Sequence, residues 1–318
     1  MKRRRPKLVV VGSINMDLVL RCEHLPLPGE TRHAIDSREV SGGKGANQAV
    51  AAARMGAEVA MVGRVGSDGF GIQLKENLKQ AAIDTSFVWE TEQCSSGLAV
   101  VMVDRVGENS ILVSSGANGR LMPDDIQQAD AVIAQADMMV IQLEIPVETV
   151  VAAVDAAKRA GVPVLLNPAP ALRDLPERLF SVDILCPNQN EAEILTGQAV
   201  ETVEQAKRAA LKLLERGVRI GVVTLGSQGV VVATRDRTEL SMEAGVAVHV
   251  PSIEIQAVDT TAAGDAFAGA LATFWSERMD IREACRHACV AGALAATKLG
   301  AQTSLPWRGE VVARINEL

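Results

Sequence analysis

Short runs of apolar and β-branched residues alternate with amphipathic segments along most of this chain. The runs that predict strands are KLVVVG, EVAMVGRVG, ADMMVIQLE, VPVLLNPAP, VDILCPN and RIGVVTLGSQG. The segments that predict helices are GANQAVAAARMG, GFGIQLKENLKQAA, PVETVVAAVDAAKRAG, NEAEILTG and VEQAKRAALKLLERG. Continuous apolar strands that alternate with helices are typical of a parallel sheet covered on both faces. The pattern therefore predicts an α/β fold with a mostly parallel central sheet flanked by helices.

Two regions, approximately residues 15–42 and 95–113, depart from this rhythm because neither contains a clear helical pattern. They consist of short alternating stretches with turns such as LPLPGE and DRVGENS. We expect them to form a small antiparallel sheet, inserted into the α/β body, that covers the site as a lid. No Pro- or Ser-rich linker divides the chain, so residues 1–318 are expected to form a single domain.

Ligands of parallel α/β sheets bind beyond the carboxyl ends of the strands. Polar residues that directly follow predicted strands are therefore candidates for the site, and they are Asn15, Asp17, Glu144, Asn167 and Asn188. Asn15 and Asp17 stand two positions apart in GSINMD, so an extended segment points both to one face. An amide beside a carboxylate can hold neighbouring sugar hydroxyls, although Asx turns at strand ends produce the same pattern.

The stretch SGGKGANQ places glycines and a lysine directly before a predicted helix. Gly42 and Gly43 permit a close approach of the backbone, and Lys44 and Asn47 can donate to a hydroxylated or anionic ligand at the helix start. The spacing does not match a Walker A loop. An ordinary glycine-rich turn with an exposed lysine remains the alternative.

The stretch DTTAAGDAF contains a single carboxylate, Asp265, among small residues at the start of another predicted helix. Small side chains over Thr260–Gly264 let the backbone approach a phosphate, and the first amides of the helix point towards it. A carboxylate beside such an anion site can accept the proton of an attacking hydroxyl in phosphoryl transfer. The alternative is an aspartate that only caps the helix or complements its dipole.

Two further loops follow predicted strands and suit a nucleotide. Asn188 begins PNQNEAE, and Gly226–Gly229 close TLGSQG. Glycine-rich loops let backbone amides surround phosphates and ribose. Glu191 and Glu193 are interpreted as acids of a helical first turn. The stretch GRVGSDGFG lacks the G-x-G-x-x-G spacing of a dinucleotide fingerprint, which argues against a nicotinamide-dependent dehydrogenase.

Composition narrows the possible partners. The chain has 318 residues, of which 48% are hydrophobic, and a net charge of −7. Negative charge and scarce aromatic residues (five Phe, three Trp, no Tyr) argue against nucleic acid as a partner. No apolar run approaches the roughly 18 residues of a membrane span, so no membrane association is expected. The basic cluster MKRRRPK is interpreted as a tail before the first strand, because the apolar run after it is too short for a signal peptide.

The five cysteines predict a reducing compartment. They are odd in number and contain no C-x-x-C pair, which argues against disulfide and zinc frameworks and favours the cytoplasm. Cys285, His287 and Cys289 resemble a metal site in spacing, but positions i and i+2 of a helix point apart.

Taken in order along the chain, these motifs resemble those of the ribokinase-like (PfkB) carbohydrate kinases. The resemblance extends from Leu8 to Trp307 and rests on GSINMD, PGET, GGKGANQAVAAARMG, QLE, LNPAPA, PNQNEAE, TLGSQG, DTTAAGDAF and GAQTSLPW. It implies a large α/β domain with a small β-lid, and a homodimer formed through the lids. It also implies transfer of phosphate from ATP to the terminal hydroxyl of a sugar, which is the 5-hydroxyl if the sugar is D-ribose.

The resemblance assigns roles to particular residues. The catalytic base would be Asp265, and the anion hole would be presented by Ala262, Ala263 and Gly264. The sugar would be bound by Asn15, Met16, Asp17, Gly43, Lys44, Gly45, Ala46, Asn47 and Glu144. ATP would be bound by Asn188, Thr224, Leu225, Gly226, Ser227, Gln228, Gly229, Gly264, Asp265 and Cys289, with Mg²⁺ bridging its phosphates. Cys289 stands where the family leads us to expect Asn or His.

The resemblance further implies an activating monovalent cation, usually K⁺, beside the anion hole. Its ligands, mostly backbone carbonyls, would come from Asp259, Thr261, Ala295, Lys298, Gly300 and Ser304. Three alternatives to a D-ribose kinase stay open at this point. They are a kinase of 2-deoxyribose, a kinase of fructose or a nucleoside, and a non-catalytic sugar-binding relative.

Overall fold

The computed structural model describes residues 4–235 and 246–317. Within these residues, nine strands form the main sheet in the spatial order β13 (Ala247–Val250), β12 (Val230–Thr234), β11 (Ile220–Thr224), β10 (Ile184–Leu185), β9 (Val164–Leu166), β8 (Met138–Ile141), β1 (Lys7–Val11), β4 (Glu58–Gly66) and β5 (Asp84–Thr91). All neighbours from β11 to β5 pair in parallel. At one edge of the sheet, β12 pairs antiparallel with both β11 and β13. The predicted mostly parallel α/β fold is confirmed.

Helices cover both faces of this sheet. They are α1 (Lys44–Arg54), α2 (Gly69–Gln80), α3 (Pro123–Gln128), α4 (Asp130–Ala134), α5 (Val147–Ala160), α6 (Gln189–Thr196), α7 (Val203–Glu215), α8 (Ala263–Ser276), α9 (Ile281–Ala296) and α10 (Arg308–Asn316). Alternate residues of β1 point to opposite faces. Leu8 and Val10 therefore pack in the core beneath α1, α8 and α9, while Val9 and Val11 pack in the core beneath α5 and α7. No helix of residues 4–235 and 246–317 is long and apolar enough to cross a membrane.

A second, four-stranded sheet, here called the small sheet, lies in the order β3 (Asp36–Gly42), β2 (Asn15–Arg21), β6 (Gly97–Val103) and β7 (Asn109–Ser114). Strands β2 and β3 lie within the segment 15–42, and β6 and β7 span residues 97–114, beside the predicted segment 95–113. The prediction that the small sheet is antiparallel is wrong for its central pair, because β2 and β6 run parallel. Both strands leave the carboxyl edge of the main sheet in the same direction, β2 after β1 and β6 after β5. Strands β3 and β7 then return antiparallel to them.

Helices α1 and α8 are packed unusually closely, and this contact sets the position of the site. A Cβ atom on Gly269 of α8 would lie 2.6 Å from the Cβ of Ala51 and 2.7 Å from the carbonyl oxygen of Gln48. Real Cβ atoms do not tolerate such distances, so only glycine allows the two helix backbones to approach this far. The start of α1 is thereby brought against the first turn of α8.

We predict that Gly269→Ala lowers the free energy of unfolding by about 1–3 kcal/mol, because the added methyl group overpacks this contact. Chemical denaturation measures the change. Gly309→Ala in α10 is the matched control, since a Cβ there meets no atom within 4 Å. A Gly269→Ala protein as stable as the control would contradict the close contact.

Candidate active site

The predicted site residues converge at the carboxyl edge of the main sheet. Three of the strands that end at this edge lead directly into polar residues: β1 into Ser13–Asn15, β8 into Gln142–Glu144, and β9 into Asn167. The first turns of α1, α6 and α8 meet the same edge, as the hydrogen bonds and charge interactions below show. A parallel sheet places its ligands here because the chain leaves every strand at this edge before entering a helix.

Asp265 lies in the first turn of α8, as predicted, and is only 6% exposed. Its two carboxylate oxygens accept hydrogen bonds from Asn47 Nδ2 and from Gln48 Nε2, both at 2.9 Å. Burial raises the pKa of Asp265, and the charge of Glu144 adds to this effect. The positive charge of Lys44 and the two amide hydrogen bonds oppose the increase without cancelling it.

The backbone that leads into α8 is shaped to expose amides. Ala262 adopts a left-handed conformation (φ 59°) as the N-cap, and the Ala263 amide donates to the carbonyl of Thr260 at 3.2 Å. The next two amides, of Gly264 and Asp265, belong to the first helical turn and have no acceptor within the helix. A Cβ on Gly264 would meet no atom of the described chain within 4 Å. Gly264 is itself exposed, so the backbone at the start of α8 is accessible at this residue.

Asp17, Lys44 and Glu144 form a charged group beside Asp265. Glu144 Oε2 accepts from Ser13 Oγ at 2.6 Å and from the Lys44 backbone amide at 3.1 Å, which fixes the carboxylate between β1 and α1. Burial raises the pKa of Asp17 to about 7, helped by the like charges of Glu144 and Asp265. Burial lowers the pKa of Lys44, but the negative charges of Asp265, Glu144 and Glu191 raise it by more, so the net shift is upward.

Asn15 is held in a fixed orientation by a residue outside the predicted set. Asn118 donates through Nδ2 to Asn15 Oδ1 at 2.6 Å, and its own Oδ1 accepts from the Ile14 amide at 2.9 Å. Because Asn15 accepts through its oxygen, its NH₂ group remains available to a ligand. Gly43 (φ 86°) passes so close that a Cβ would lie 2.7 Å from the Asn15 nitrogen.

Met16 and Ala46, both predicted to bind sugar, lie with their side chains in the core and are at most 1% exposed. Their neighbours in sequence face the site, so a ligand could reach only the backbone atoms of Met16 and Ala46. Gly45 is also buried, and a Cβ there would lie 2.7 Å from the Ser13 nitrogen. Its role is to let α1 begin directly against the end of β1.

The predicted nucleotide residues lie on two adjoining loops. Asn188 caps α6 by accepting from the Glu191 amide at 2.9 Å, and it bridges to Thr224 across the end of β11. The turn Thr224–Gly229 is closed by a bond from the Leu225 amide to the Gly229 carbonyl at 2.8 Å and leaves Gly226, Ser227 and Gln228 exposed. Burial raises the pKa of Cys289 to about 12, and its side chain belongs to the core cluster beneath α9.

The predicted cation residues surround two loops that Asp259 ties together. Its Oδ1 accepts from the Thr261 amide and its Oδ2 from the Gly300 amide, both at 2.9 Å. Burial raises the pKa of Asp259, but these hydrogen bonds outweigh it and the net shift is downward. Ser304 is buried and donates to the Ala301 carbonyl, while Lys298 pairs with Glu310 at 2.9 Å. Ala295 is buried in the last turns of α9.

Sequence reasoning missed several residues of the site, namely Ser13, Gln48, Asn118, Gln142 and, in part, Glu191. Glu191 is the helix-cap acid that was predicted, since its Oε2 accepts from the Asn188 amide at 2.8 Å. It is also part of the charged group, because burial raises its pKa while the charges of Lys44 and Asp265 act on it. Gln48 could have been suspected because it directly follows Asn47 in the sequence. No pattern in the sequence indicated that Asn118 contacts Asn15 at the start of β2.

A buried carboxylate beside open helix-start amides, next to a charged polar group, is typical of an enzyme that transfers a phosphoryl group to a hydroxyl. Comparison with known proteins agrees. The pattern of pfkB family carbohydrate kinases matches residues 5–308. Mouse ribokinase is 41% identical over 307 residues, covering 96% of this chain and 93% of its own. Deoxyribokinase of Salmonella typhi is 39% identical over 300 residues, covering 94% and 95%.

Among solved structures, that of Arabidopsis thaliana ribokinase complexed with ribose and ATP superposes with a TM-score of 0.87 at 34% identity, covering 98% of each chain. The chain belongs to the pfkB family of carbohydrate kinases. It is therefore an enzyme, a phosphotransferase that uses an alcohol group as the acceptor.

We predict that the carboxyl group of Asp17 titrates near pH 7 and that Glu144→Gln lowers its pKa by removing a like charge. Carbon-13 NMR of labelled aspartate, assigned with Asp17→Asn, measures both values. Because the pKa of Asp17 in the folded protein lies above its usual value of 3.8, the folded state retains the proton to higher pH. The free energy of unfolding therefore falls, relative to Asp17→Asn, as the pH rises from about 4 to 7. Titration of Asp17 near pH 4 would contradict this description of the site.

Proposed function

We propose that this kinase phosphorylates the 5-hydroxyl of D-ribose with ATP, giving D-ribose 5-phosphate and ADP. The observation that carries the proposal is the position of Asp265, buried at the start of α8 beside open backbone amides. Relatives named ribokinase and the Arabidopsis structure with ribose and ATP support the choice of sugar and nucleotide.

Asp265 serves as the general base. The attacking hydroxyl loses its proton to the carboxylate as its oxygen approaches the terminal phosphorus of ATP, and ADP leaves on the opposite side. The backbone around Ala262–Gly264 forms the anion hole that stabilises the transferred group. Since the Ala263 amide already donates to Thr260, the Gly264 amide is the better oriented donor.

The sugar lies between the small sheet and α1. Asp17 and Asn15 hold its hydroxyls from β2, and Lys44, Asn47 and Glu144 hold it from the body. The backbone of Met16, Gly43, Gly45 and Ala46 completes the contact. A carboxylate and an amide at adjoining positions together supply the acceptors and donors that vicinal hydroxyls require.

ATP lies across the loops that carry Asn188 and Thr224–Gly229, with the adenine towards Cys289. Positive φ angles at Gly226 (57°) and Gly229 (93°) shape a turn whose backbone is accessible to a nucleotide. Cys289 is only 6% exposed and is a weak hydrogen-bond donor, so its contact with adenine would be a small packing contact.

Mg²⁺ fits this site through the nucleotide. Within residues 4–235 and 246–317 no group of three His, Cys, Asp or Glu side chains could hold a metal ion. Mg²⁺ is commonly bound by phosphate oxygens and water with few protein ligands. The negative charges of Asp265, Glu144 and Glu191 are felt by the Lys44 ammonium group. Asp17 lies close enough to Glu144 and Asp265 for their charges to raise its pKa. A bound divalent cation supplies the charge neutralisation that phosphates need beside these acids.

A monovalent cation, K⁺, would lie between the loops tied by Asp259. The predicted ligands are carbonyl, hydroxyl and carboxylate oxygens of Asp259, Thr261, Ala295, Lys298, Gly300 and Ser304, which suit a hard cation. An ion there would hold the turn before α8 in the left-handed conformation that exposes the Gly264 amide.

The small sheet would form the dimer interface, and the cytoplasm would be the location. On β7 the apolar residues Ile111, Leu112 and Val113 are all more than half exposed. An exposed apolar edge strand is a common site of association.

A kinase of 2-deoxyribose is the second candidate, because deoxyribokinase of Salmonella typhi is almost as similar as mouse ribokinase. The two sugars differ by one hydroxyl, and no residue described here separates them. Fructose and nucleoside kinases, and a non-catalytic relative, are less favoured.

We predict that Asp265→Asn lowers kcat for D-ribose by about 10²–10⁴-fold, the usual contribution of a general base. Sugar binding, measured by calorimetry, should persist because the isosteric amide preserves the shape of the pocket. Release of ADP measures turnover, and Thr273→Val on the same helix is the control. Near-normal turnover of Asp265→Asn would remove Asp265 as the base.

We predict that replacing K⁺ by Na⁺ at constant ionic strength lowers kcat, because the smaller ion holds the carbonyl ligands less well. The Asp259→Ala variant, which loses the tie between the two loops, should have low activity in either ion. Equal rates of the wild-type enzyme in both salts would contradict the cation site.

A further inference from the structure

The Asp265 carboxylate is held from two sides, and only one of them belongs to the proposed sugar site. Asn47 donates to Oδ2 and Gln48 donates to Oδ1. Gln48 has no exposed surface at all. It therefore touches the reacting carboxylate without being able to reach a ligand.

Gln48 is itself fixed by a chain of side-chain amides at the carboxyl ends of the strands. Its Oε1 accepts from Gln142 Nε2 at 2.7 Å, and its Nε2 also donates to Asn167 Oδ1 at 3.1 Å. Asn167 in turn donates to the Cys186 carbonyl at 3.0 Å. Residues at the ends of β8, β9 and β10 thus determine where the Gln48 amide points.

The direction of these hydrogen bonds follows from Asp265. An ionised carboxylate only accepts, so Gln48 must present its nitrogen to it and its oxygen to Gln142. Gln142 must then donate, and its own Oε1 is left buried without a partner among the described residues. That oxygen lies 2.0 Å from where a Cβ on residue 12 would stand, so the arrangement also requires Gly12. An unsatisfied buried acceptor is costly, and here it accompanies the hydrogen bond from Gln142 Nε2 that turns the Gln48 amide towards Asp265.

We propose that Gln48 is a positioning residue for phosphoryl transfer, which holds the Asp265 carboxylate ionised and aimed at the acceptor hydroxyl. The inference rests on the proposed role of Asp265 as the base. Asn47 also donates to the Asp265 carboxylate, but from the side that faces the proposed ligand. Gln48 donates from the core, so its hydrogen bond to Asp265 is present whether or not a ligand is bound.

Loss of the Gln48 amide affects Asp265 through charge as well as orientation. Four charged groups interact electrostatically with Asp265. They are Lys44 of α1, Glu144 after β8, Asp17 of β2 and Glu191 of α6. Three of these four are acids. Without the amide donor, burial and the acidic neighbours raise the pKa of Asp265 further, because only Lys44 and Asn47 remain to favour the carboxylate. The acid limb of the kcat–pH profile then moves to higher pH.

The test compares Gln48→Met, which has a similar length and no amide, with Gln48→Glu, which has the same shape and replaces the donor by an acceptor. At neutral pH both should lose about 10–100-fold in kcat, the usual cost of a misplaced reacting group. The KM for the sugar should stay within about twofold, since uniform binding is not removed. Turnover of Gln48→Met should recover in part as the pH rises.

Thr273→Val is the matched control, because it removes one buried hydrogen bond, to the Gly269 carbonyl, from the same helix as Asp265. Its kcat–pH profile should match that of the wild type. Carbon-13 titration of Asp265 in the ligand-free proteins gives a second readout, in which the pKa should be higher in both Gln48 variants than in the control.

A wild-type kcat and pH profile in folded Gln48→Met would overturn the proposal. So would a loss of kcat with an unchanged pH profile and an unchanged pKa of Asp265, because a purely structural role gives that result. Asp265→Asn, assayed in parallel, separates the two hypotheses. If that variant turns over normally, the proposed base is wrong; if it is inactive while Gln48→Met is normal, only the role of Gln48 is wrong.

Discussion

The structure depends on the contact between α1 and α8, which brings side chains far apart in the sequence onto one carboxylate. Gly269 lets the helix backbones meet, and Asn47 and Gln48 then reach Asp265 from the adjoining helix. An acid with so little exposure is stable in ionised form only if donors compensate for the lost water. Those donors are supplied by the neighbouring helix and not by the backbone of α8, whose first amides remain open to a ligand.

The same contact explains why the site is built at this edge of the sheet. Glycines at positions 12, 43 and 45 let the start of α1 lie against the end of β1, and Glu144 after β8 accepts from both. Burial, together with the like charges of Glu144 and Asp265, raises the pKa of Asp17 to about 7. Sugar hydroxyls would donate hydrogen bonds to these carboxylates and so stabilise their charged forms.

Much of this could be predicted from the sequence. Apolar runs and helical periodicity identified the strands β1, β4, β8, β9, β10 and β11 and the helices α1, α2, α5, α6 and α7, because parallel strands and their covering helices have strong patterns. Strand β5 and the short helices α3 and α4 were not identified. The edge strands β12 and β13 were not separated as elements, and the small sheet was expected to be purely antiparallel. Pairing between β2 and β6 depends on where both strands leave the body, which no local pattern contains. Of the site, the glycine-rich helix starts were recognisable, whereas Asn118 and Gln142 act through contacts that only the fold creates.

The central claim is that this kinase transfers phosphate from ATP to the 5-hydroxyl of D-ribose. The most direct measurement is ADP release with Mg²⁺ and K⁺ for D-ribose, 2-deoxyribose, fructose and adenosine side by side, followed by phosphorus NMR of the sugar product. We expect the highest kcat/KM for D-ribose and a single product with phosphate on O5. A clear preference for 2-deoxyribose or another acceptor, or the absence of ADP release with all four, would contradict the claim.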